Sequence, residues 1–238
     1  MTDPTFSDHR KIDAARKAVV LLSGGLDSST CLAIATSQGY MCHGLSFEYG
    51  QRHSQELEGS RALAEHYHLP EHKIISLGFT DLLRSALTDP TVELPEGREP
   101  DEMQDIPDSY VPARNTIMLS IAVAYAEIIG ADAIFIGVNA LDYSGYPDCR
   151  PEYIEAFQRM ANLATKRAVE GQPITIETPL LHLTKAQIIA KGMELGVPYR
   201  HTWSCYRGGE KACGTCDSCV LRLKGFSESG YEDPVEYD

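Results

Sequence analysis

The sequence predicts an α/β protein built on a doubly wound parallel sheet. Three observations carry that class: short runs rich in Val, Ile and Phe recur along the chain, helical patterns separate them, and the first run ends in a glycine pair that opens a helix. Parallel neighbours need long crossover connections, and a helix between successive strands supplies them. With 238 residues, 43% of them hydrophobic, the chain can bury one large core and carry a small appendage.

The elements follow in order. "AVVLL" (18–22), "CHGLSF" (42–47), "KIISL" (73–77), "DAIFIG" (132–137) and "ITIE" (174–177) read as short buried strands. Helical patterns cover 27–38, 53–67, 114–129, 152–169 and 184–195. Residues 1–16 are a polar, flexible start, 17–200 the main domain, and 201–238 a cysteine-bearing module with a tail. Between the third strand and third helix lies "TDPTVELPEGREPDEMQDIPDS" (88–109), with eight acidic residues, one basic residue and four prolines. That composition is too polar to pack and too rich in proline for a long helix, so it reads as a flexible, solvated excursion, with a lid as the sharper alternative.

Composition narrows the partners. Twenty-one Lys and Arg face 34 Asp and Glu, for a net charge of −13, which disfavours loose binding to nucleic acid or anionic membranes and favours a small-molecule partner. No apolar run approaches the ~20 residues of a membrane span, and the N-terminus lacks the apolar core of a secretory signal. Seven cysteines, four of them within 205–219, look like a metal cluster in a reducing compartment, so the expected location is the cytoplasm.

In an open parallel sheet, ligands bind beyond the carboxyl ends of the strands. There "AVVLLSGGLDSST" places Ser23, Gly24 and Gly25 at a strand end and Asp27, Ser28 and Ser29 in a helix's first turn. Glycines let backbone N–H groups approach an anion, and the helix end carries partial positive charge. No Lys follows the glycines, so this is not a Walker A loop, and the spacing is not that of a dinucleotide fold.

The string "LSGGLDSSTCL" (22–32) resembles the pyrophosphate loop of the N-type ATP pyrophosphatases, whose fold is adenine nucleotide alpha-hydrolase-like and Rossmann-like. The resemblance implies cleavage of ATP between its α and β phosphates. It places ATP on Leu22, Ser23, Gly24, Gly25, Leu26, Asp27, Ser28, Ser29, Thr30, Cys31 and Leu32, with pyrophosphate gripped by Ser23, Gly24, Gly25, Ser28 and Ser29, and Asp27 helping to hold Mg²⁺. In "PLLHLTKAQI", Lys185 opens a helix where the same family carries a phosphate-contacting lysine. A cation in a first turn opposes the helix dipole, which favours a role on the phosphates over an idle surface position.

Cys205, Cys213, Cys216 and Cys219 follow the spacing C-x7-C-x2-C-x2-C. Four thiolates close a tetrahedral shell and leave no position for water, so the site reads as structural zinc, with iron–sulfur ligation and unrelated buried cysteines as alternatives.

Together with "LSFEYGQRH" (45–53), "YVPARN" (110–115), "GVNALDYSGYPDCRPEY" (137–153) and "TWSCY", these strings resemble the QueC family of 7-cyano-7-deazaguanine synthases from about Val19 to Pro234. One departure is Ala113, where that family usually has glycine; a positive φ there would strain alanine. The resemblance implies conversion of 7-carboxy-7-deazaguanine, ammonia and ATP to the 7-cyano compound, with Asp27 and Lys185 catalytic, and a homodimer formed through 152–169. Clustering after the fourth strand makes Asp142 and Asp148 candidate acceptors for the base's N–H edge, Tyr143 and Tyr146 candidate stacking surfaces, and Arg114 and Arg150 candidate anion contacts. The other reading of that stretch is a turn whose side chains satisfy their own backbone.

Cys149 reads as a small buried thiol rather than a nucleophile. His43, His53, His66, His68 and His72 read as surface or core residues, and Glu48 as a ribose or metal contact or a helix cap. A tRNA-modifying enzyme of the thiolase or lysidine type, a protein-tagging relative, and a non-catalytic nucleotide-binding module are the competing readings. Against the first stands the lack of a basic helix or tail.

Overall fold

The computed structural model describes residues 16–78, 85–89, 91–94, 96–98, 106–141 and 146–238. Among them, five strands form one parallel sheet: β1 (Lys17–Leu21), β2 (Met41–Glu48), β3 (His72–Ser76), β4 (Ala133–Phe135) and β5 (Thr175–Glu177), in the order β3-β2-β1-β4-β5. Helices α1 (Leu26–Ser37), α2 (Gln55–His66), α3 (Arg114–Ile129), α4 (Pro151–Ala164), α5 (Lys166–Val169), α6 (Lys185–Glu194) and α7 (Asp217–Ser229) surround it. The doubly wound α/β class expected from the alternating pattern is the class found. No helix among the described residues is long and apolar enough to cross a membrane.

Alternation along β1 divides the core. Val19 and Leu21 pack with Leu119, Tyr125 and Ala126 of α3 and Ile154 and Phe157 of α4 on one face. Ala18, Val20 and Leu22 pack with Leu32 and Ala35 of α1 and Leu63 and Ala64 of α2 on the other. Each fully buried leucine, such as Leu32 or Leu63, contributes ~2 kcal/mol over an exposed one. Helix α1 is apolar on its far side too, where Cys31 and Ile34 meet Ile188 and Ile189 of α6 and Phe226 of α7. It is therefore held from both sides and cannot shift without opening two cores.

Strand order reverses at β1, with β2 on one side and β4 on the other, and the crevice beyond their carboxyl ends is where such sheets bind ligands. The chain leaves β1 into the glycine turn and enters α1 from there. Just past the end of helix α1 stands Gly39, whose φ of +81° lets the N–H groups of Gly39 and Tyr40 reach back to Thr36 and Ala35.

Three expectations are refined. The helix expected over 152–169 breaks at buried Thr165, which is extended and whose hydroxyl donates to the Ala161 carbonyl at 3.1 Å. Residues 217–229, read as module and tail, form α7, which packs along α6. The described parts of 88–109 are tied down: Gly97 N–H donates to the Thr215 carbonyl at 3.0 Å, Glu96 bridges to Cys216, and Arg98 pairs with fully buried Asp217.

Candidate active site

The glycine turn is shaped by close approach. Gly24 has φ +92°, and a Cβ there would lie 1.9 Å from the Glu56 carbonyl oxygen and 2.7 Å from the Ser60 nitrogen, so only glycine lets the loop rest on α2. From the other side Trp203 N–H donates to the Gly24 carbonyl at 3.0 Å. Within the turn, the Ser28 hydroxyl stands 3.0 Å from that of Ser23, accepts from Gly24 N–H at 3.3 Å, and donates to the Gly25 carbonyl at 3.1 Å. Behind it, a Cβ on Gly137 would come within 3.1 Å of the Asp27–Ser28 backbone, so the chain after β4 closes on the same point.

Lys185 arrives from α6. A capping box sets that helix's start: Thr184 Oγ1 accepts from Gln187 N–H at 3.3 Å, and Gln187 Oε1 accepts from Thr184 N–H at 2.8 Å. Lys185 Nζ then reaches both carboxylate oxygens of Asp27, at 2.9 Å each. Gly225 of α7 gives the lysine stem room, since a Cβ there would sit 2.5 Å from its Cγ.

These groups open onto a cavity of about 300 Å³. Leu22, Ser23, Gly25, Leu26, Asp27, Ser28 and Lys185 line it, with Phe47 of β2, Tyr49 just after it, Glu56 of α2, Arg114 of α3, Tyr146, and Trp203 and Tyr206 from the cysteine-bearing segment. Arg114 donates to the Tyr49 hydroxyl at 3.1 Å, and its guanidinium lies 5.7 Å from that ring's centre. Burial works against the Arg114 charge, but Tyr49, Tyr146 and Glu56 around it hold its pKa above the usual guanidinium value. Burial pushes the Glu56 carboxyl up to about 7, with Arg114 pulling the other way.

Other expected site residues fall elsewhere. Ser29, Thr30, Cys31 and Leu32 are buried inside α1; the Ser29 and Thr30 hydroxyls donate to the Leu26 carbonyl at 2.8 and 2.9 Å. Asp148 is buried, with its carboxylate accepting from Asn115 N–H at 3.0 Å, so it holds the start of α3. Arg150 is exposed and donates to the Pro147 carbonyl at 3.2 Å. Asp142 and Tyr143 lie outside the described residues. Cys149 borders the cavity, but burial pushes its thiol up to about 12. Ala113 has φ +55°, the left-handed conformation that strains alanine.

Among the expected histidines, His53 alone borders the cavity, its ring edge-on to Trp203 at 6.4 Å. The Ser46 hydroxyl lies 2.7 Å from His72 Nε2, and His43 is buried. His66, His68 and Glu48 are exposed.

Among the described residues, the one group of three or more side chains placed to share a metal ion is Cys205, Cys213, Cys216 and Cys219, whose sulfurs lie within 4.8 Å of one another. Backbone N–H groups of Arg207 and Cys213 reach Cys205 Sγ at 3.4 Å, and that of Cys216 reaches Cys213 Sγ at 3.3 Å, which stabilises thiolate charge. The segment is also pinned to the sheet. Gln55 Nε2 donates to the Gly208 carbonyl at 2.6 Å, and buried Arg222 of α7 pairs with Asp233 at 2.7 Å while donating to Thr202 Oγ1 at 2.8 Å.

A family model, "Queuosine biosynthesis protein QueC", matches residues 17–230. The chain belongs to the QueC family. It is 54% identical over 222 residues to 7-cyano-7-deazaguanine synthase 2 of Desulfitobacterium hafniense, covering 93% of both chains. It is 57% identical to the 7-cyano-7-deazaguanine synthase of Acetivibrio thermocellus, over 93% of this chain and 98% of that one. Among solved structures, NMN synthetase from Francisella tularensis aligns over 92% of this chain and 79% of its own with TM-score 0.50 and 17% identity, a likeness of fold.

Tyr49, Glu56, Trp203, Arg222 and Gly225 were not singled out as site residues from sequence. Tyr49 and Trp203 lie inside the strings that carry the family resemblance, and Glu56 lies three residues beyond one; the other two carry no local signal.

Proposed function

We propose that the protein is a 7-cyano-7-deazaguanine synthase, taking 7-carboxy-7-deazaguanine, ammonia and ATP to the nitrile. The observation that carries this reading is the similarity to synthases of that name over more than nine-tenths of this chain and the two relatives' own lengths, joined to a cavity in which the glycine turn, Asp27 and Lys185 converge.

A carboxylate resists attack until one oxygen becomes a good leaving group, so ATP first places an adenylyl or phosphoryl group on it. The N–H groups at the start of α1 and the hydroxyls of Ser23 and Ser28 take the phosphates. Lys185 follows the charge that builds on the departing phosphate oxygen. Asp27, once released from Lys185, would hold Mg²⁺, which would supply neutralisation of phosphate charge. Arg114 takes the substrate carboxylate, and Tyr146 and Trp203 give the base a flat surface. Ammonia then yields the amide, and a second activation removes the remaining oxygen.

The cysteine site fits zinc. Zn–S bonds of ~2.3 Å put tetrahedral sulfurs ~3.8 Å apart, and Cys213 and Cys219 Sγ already stand 4.0 Å apart. Thiols kept for a metal fit a reducing cytoplasm. A homodimer would cover Met160 and Leu163 of α4 and Val169 of α5, all exposed apolar side chains.

The test is incubation of the metal-loaded protein with ATP, Mg²⁺, ammonium and 7-carboxy-7-deazaguanine, following the base by mass spectrometry. Appearance of the nitrile is expected. An unchanged acid, with folded protein and bound ATP, would move the acceptor to another molecule.

A further inference from the structure

Amidation and nitrile formation both release N–H protons, and ammonia is mostly protonated near neutral pH, so the reaction needs a base within the cavity. The titratable and charged groups that line the cavity with Glu56 come from several elements: Tyr49, Arg52 and His53 after β2, Asp27 of α1, Arg114 of α3, Tyr146 and Cys149 between β4 and α4, Lys185 of α6, Tyr206 before α7 and Arg222 of α7. Asp27 is held by Lys185 through both oxygens. Tyr49 accepts from Arg114, and burial raises its pKa. The Cys149 thiol is pushed up to about 12. His53 is turned toward Trp203 and the cysteine site.

Glu56 differs from all of these. It is half-buried in the first turn of α2, it borders the cavity beside Arg114, and among the described residues no group donates a hydrogen bond to its carboxylate. A carboxyl raised to about 7 by burial is matched to proton transfer at neutral pH.

We propose that Glu56 is the general base of both nitrogen steps, a role that rests on the synthase reading above. In the first step the ammonia nitrogen bonds to the activated acyl carbon and the C–O bond to the phosphate-bearing oxygen breaks, its electron pair leaving with the phosphate. One N–H proton passes to Glu56, leaving the neutral amide. In the second, the amide oxygen bonds to a phosphorus of another ATP, and the P–O bond to the rest of that ATP breaks and releases it as pyrophosphate or ADP. Two N–H protons then leave, the C–O bond breaks onto the phosphate, and the carbon–nitrogen triple bond forms. Glu56 takes these protons one after the other and returns each to water, Arg114 favouring its re-ionisation.

The experiment compares wild type, Glu56→Gln and Glu56→Asp as full-length, metal-loaded proteins at a fixed concentration of unprotonated ammonia across pH 5.5–9. Loss of a positioned base costs ~10²–10⁴-fold in kcat, and that loss is expected in Glu56→Gln with KM for ATP and for the acid within about threefold of wild type. Wild-type kcat should rise with pH and level off above about 7. The residual Glu56→Gln rate should lack that limb, and Glu56→Asp should recover part of the activity. Ammonium-free ATP cleavage with the acid, measured in a single turnover, should persist in Glu56→Gln, which separates a missing base from a damaged fold. The assignment is overturned if Glu56→Gln turns over within about threefold of wild type, keeps the acid limb, or loses ammonium-free cleavage in equal measure. Wild type making no nitrile would instead overturn the synthase reading.

Discussion

Gly24→Ala tests whether the glycine turn is held in place by its contact with α2. Two costs add. An L side chain in the left-handed region costs ~1–2 kcal/mol, and Gly24 has φ +92°. The added Cβ would also lie 1.9 Å from the Glu56 carbonyl oxygen where ordinary contact begins near 3.4 Å, so loop and helix must part by about 1.5 Å. Overpacking of that kind costs ~1–3 kcal/mol. The total of ~2–5 kcal/mol lowers Tm by roughly 5–20 °C for a chain of this size. Gly39→Ala is the control: its φ is +81° with nothing within 4 Å, so it carries the conformational cost without the clash. Displacing the turn by more than an ångström should also lower turnover ~100-fold, while Gly39→Ala leaves turnover unchanged. Calorimetry and steady-state assays on both variants decide it. Equal losses of Tm and activity in the two would refute the claim that the turn is seated on α2.

Lys185→Met should lower turnover ~10²-fold or more through lost transition-state charge. Its Tm should stay near wild type, because a partly exposed ion pair contributes ~1 kcal/mol or less; a fall in Tm with intact turnover would reverse that assignment. Elemental analysis should find one zinc per chain, and a strong chelator should remove it with loss of both thermal stability and ATP binding. Retained ATP binding in the metal-free protein would break the proposed link. Ala113→Gly relieves a left-handed alanine and should raise stability by about 1 kcal/mol, seen as a Tm higher by ~2–4 °C. Cys149→Ser should keep substantial turnover, because a thiol pushed up to about 12 carries no appreciable thiolate at neutral pH; its inactivity in a folded variant would make the thiol a nucleophile.

The sheet was legible because parallel strands are buried on both faces and read as continuous apolar runs such as "AVVLL" and "DAIFIG". Helix α7 was not, since Gly225 interrupts its pattern and Cys219 draws attention as a metal ligand. The break at Thr165 was missed because a buried hydroxyl returning to a carbonyl leaves the apolar period intact. In the site, the glycine turn was legible because its chemistry is local. Asp148 shows the opposite case: its neighbourhood in sequence placed it near a ligand, while its carboxylate went to Asn115 N–H. Glu56 needed the fold, because only the burial of α2's first turn beside Arg114 distinguishes it from the exposed Glu58 two residues on.

The cysteine centre lies outside the cavity, yet the segment it fixes forms a wall of it. Cys205 follows Trp203 by two residues, and Trp203 both lines the cavity and donates to Gly24. Arg222 holds the same stretch from behind, through Thr202 and Asp233, and its α7 neighbour Gly225 makes room for the Lys185 stem. The closure of the glycine turn and the placement of Lys185 therefore depend on one C-terminal unit. A metal held by that unit would supply folding energy to the cavity's wall without taking part in any chemistry, so its removal should loosen the glycine turn and Lys185 together.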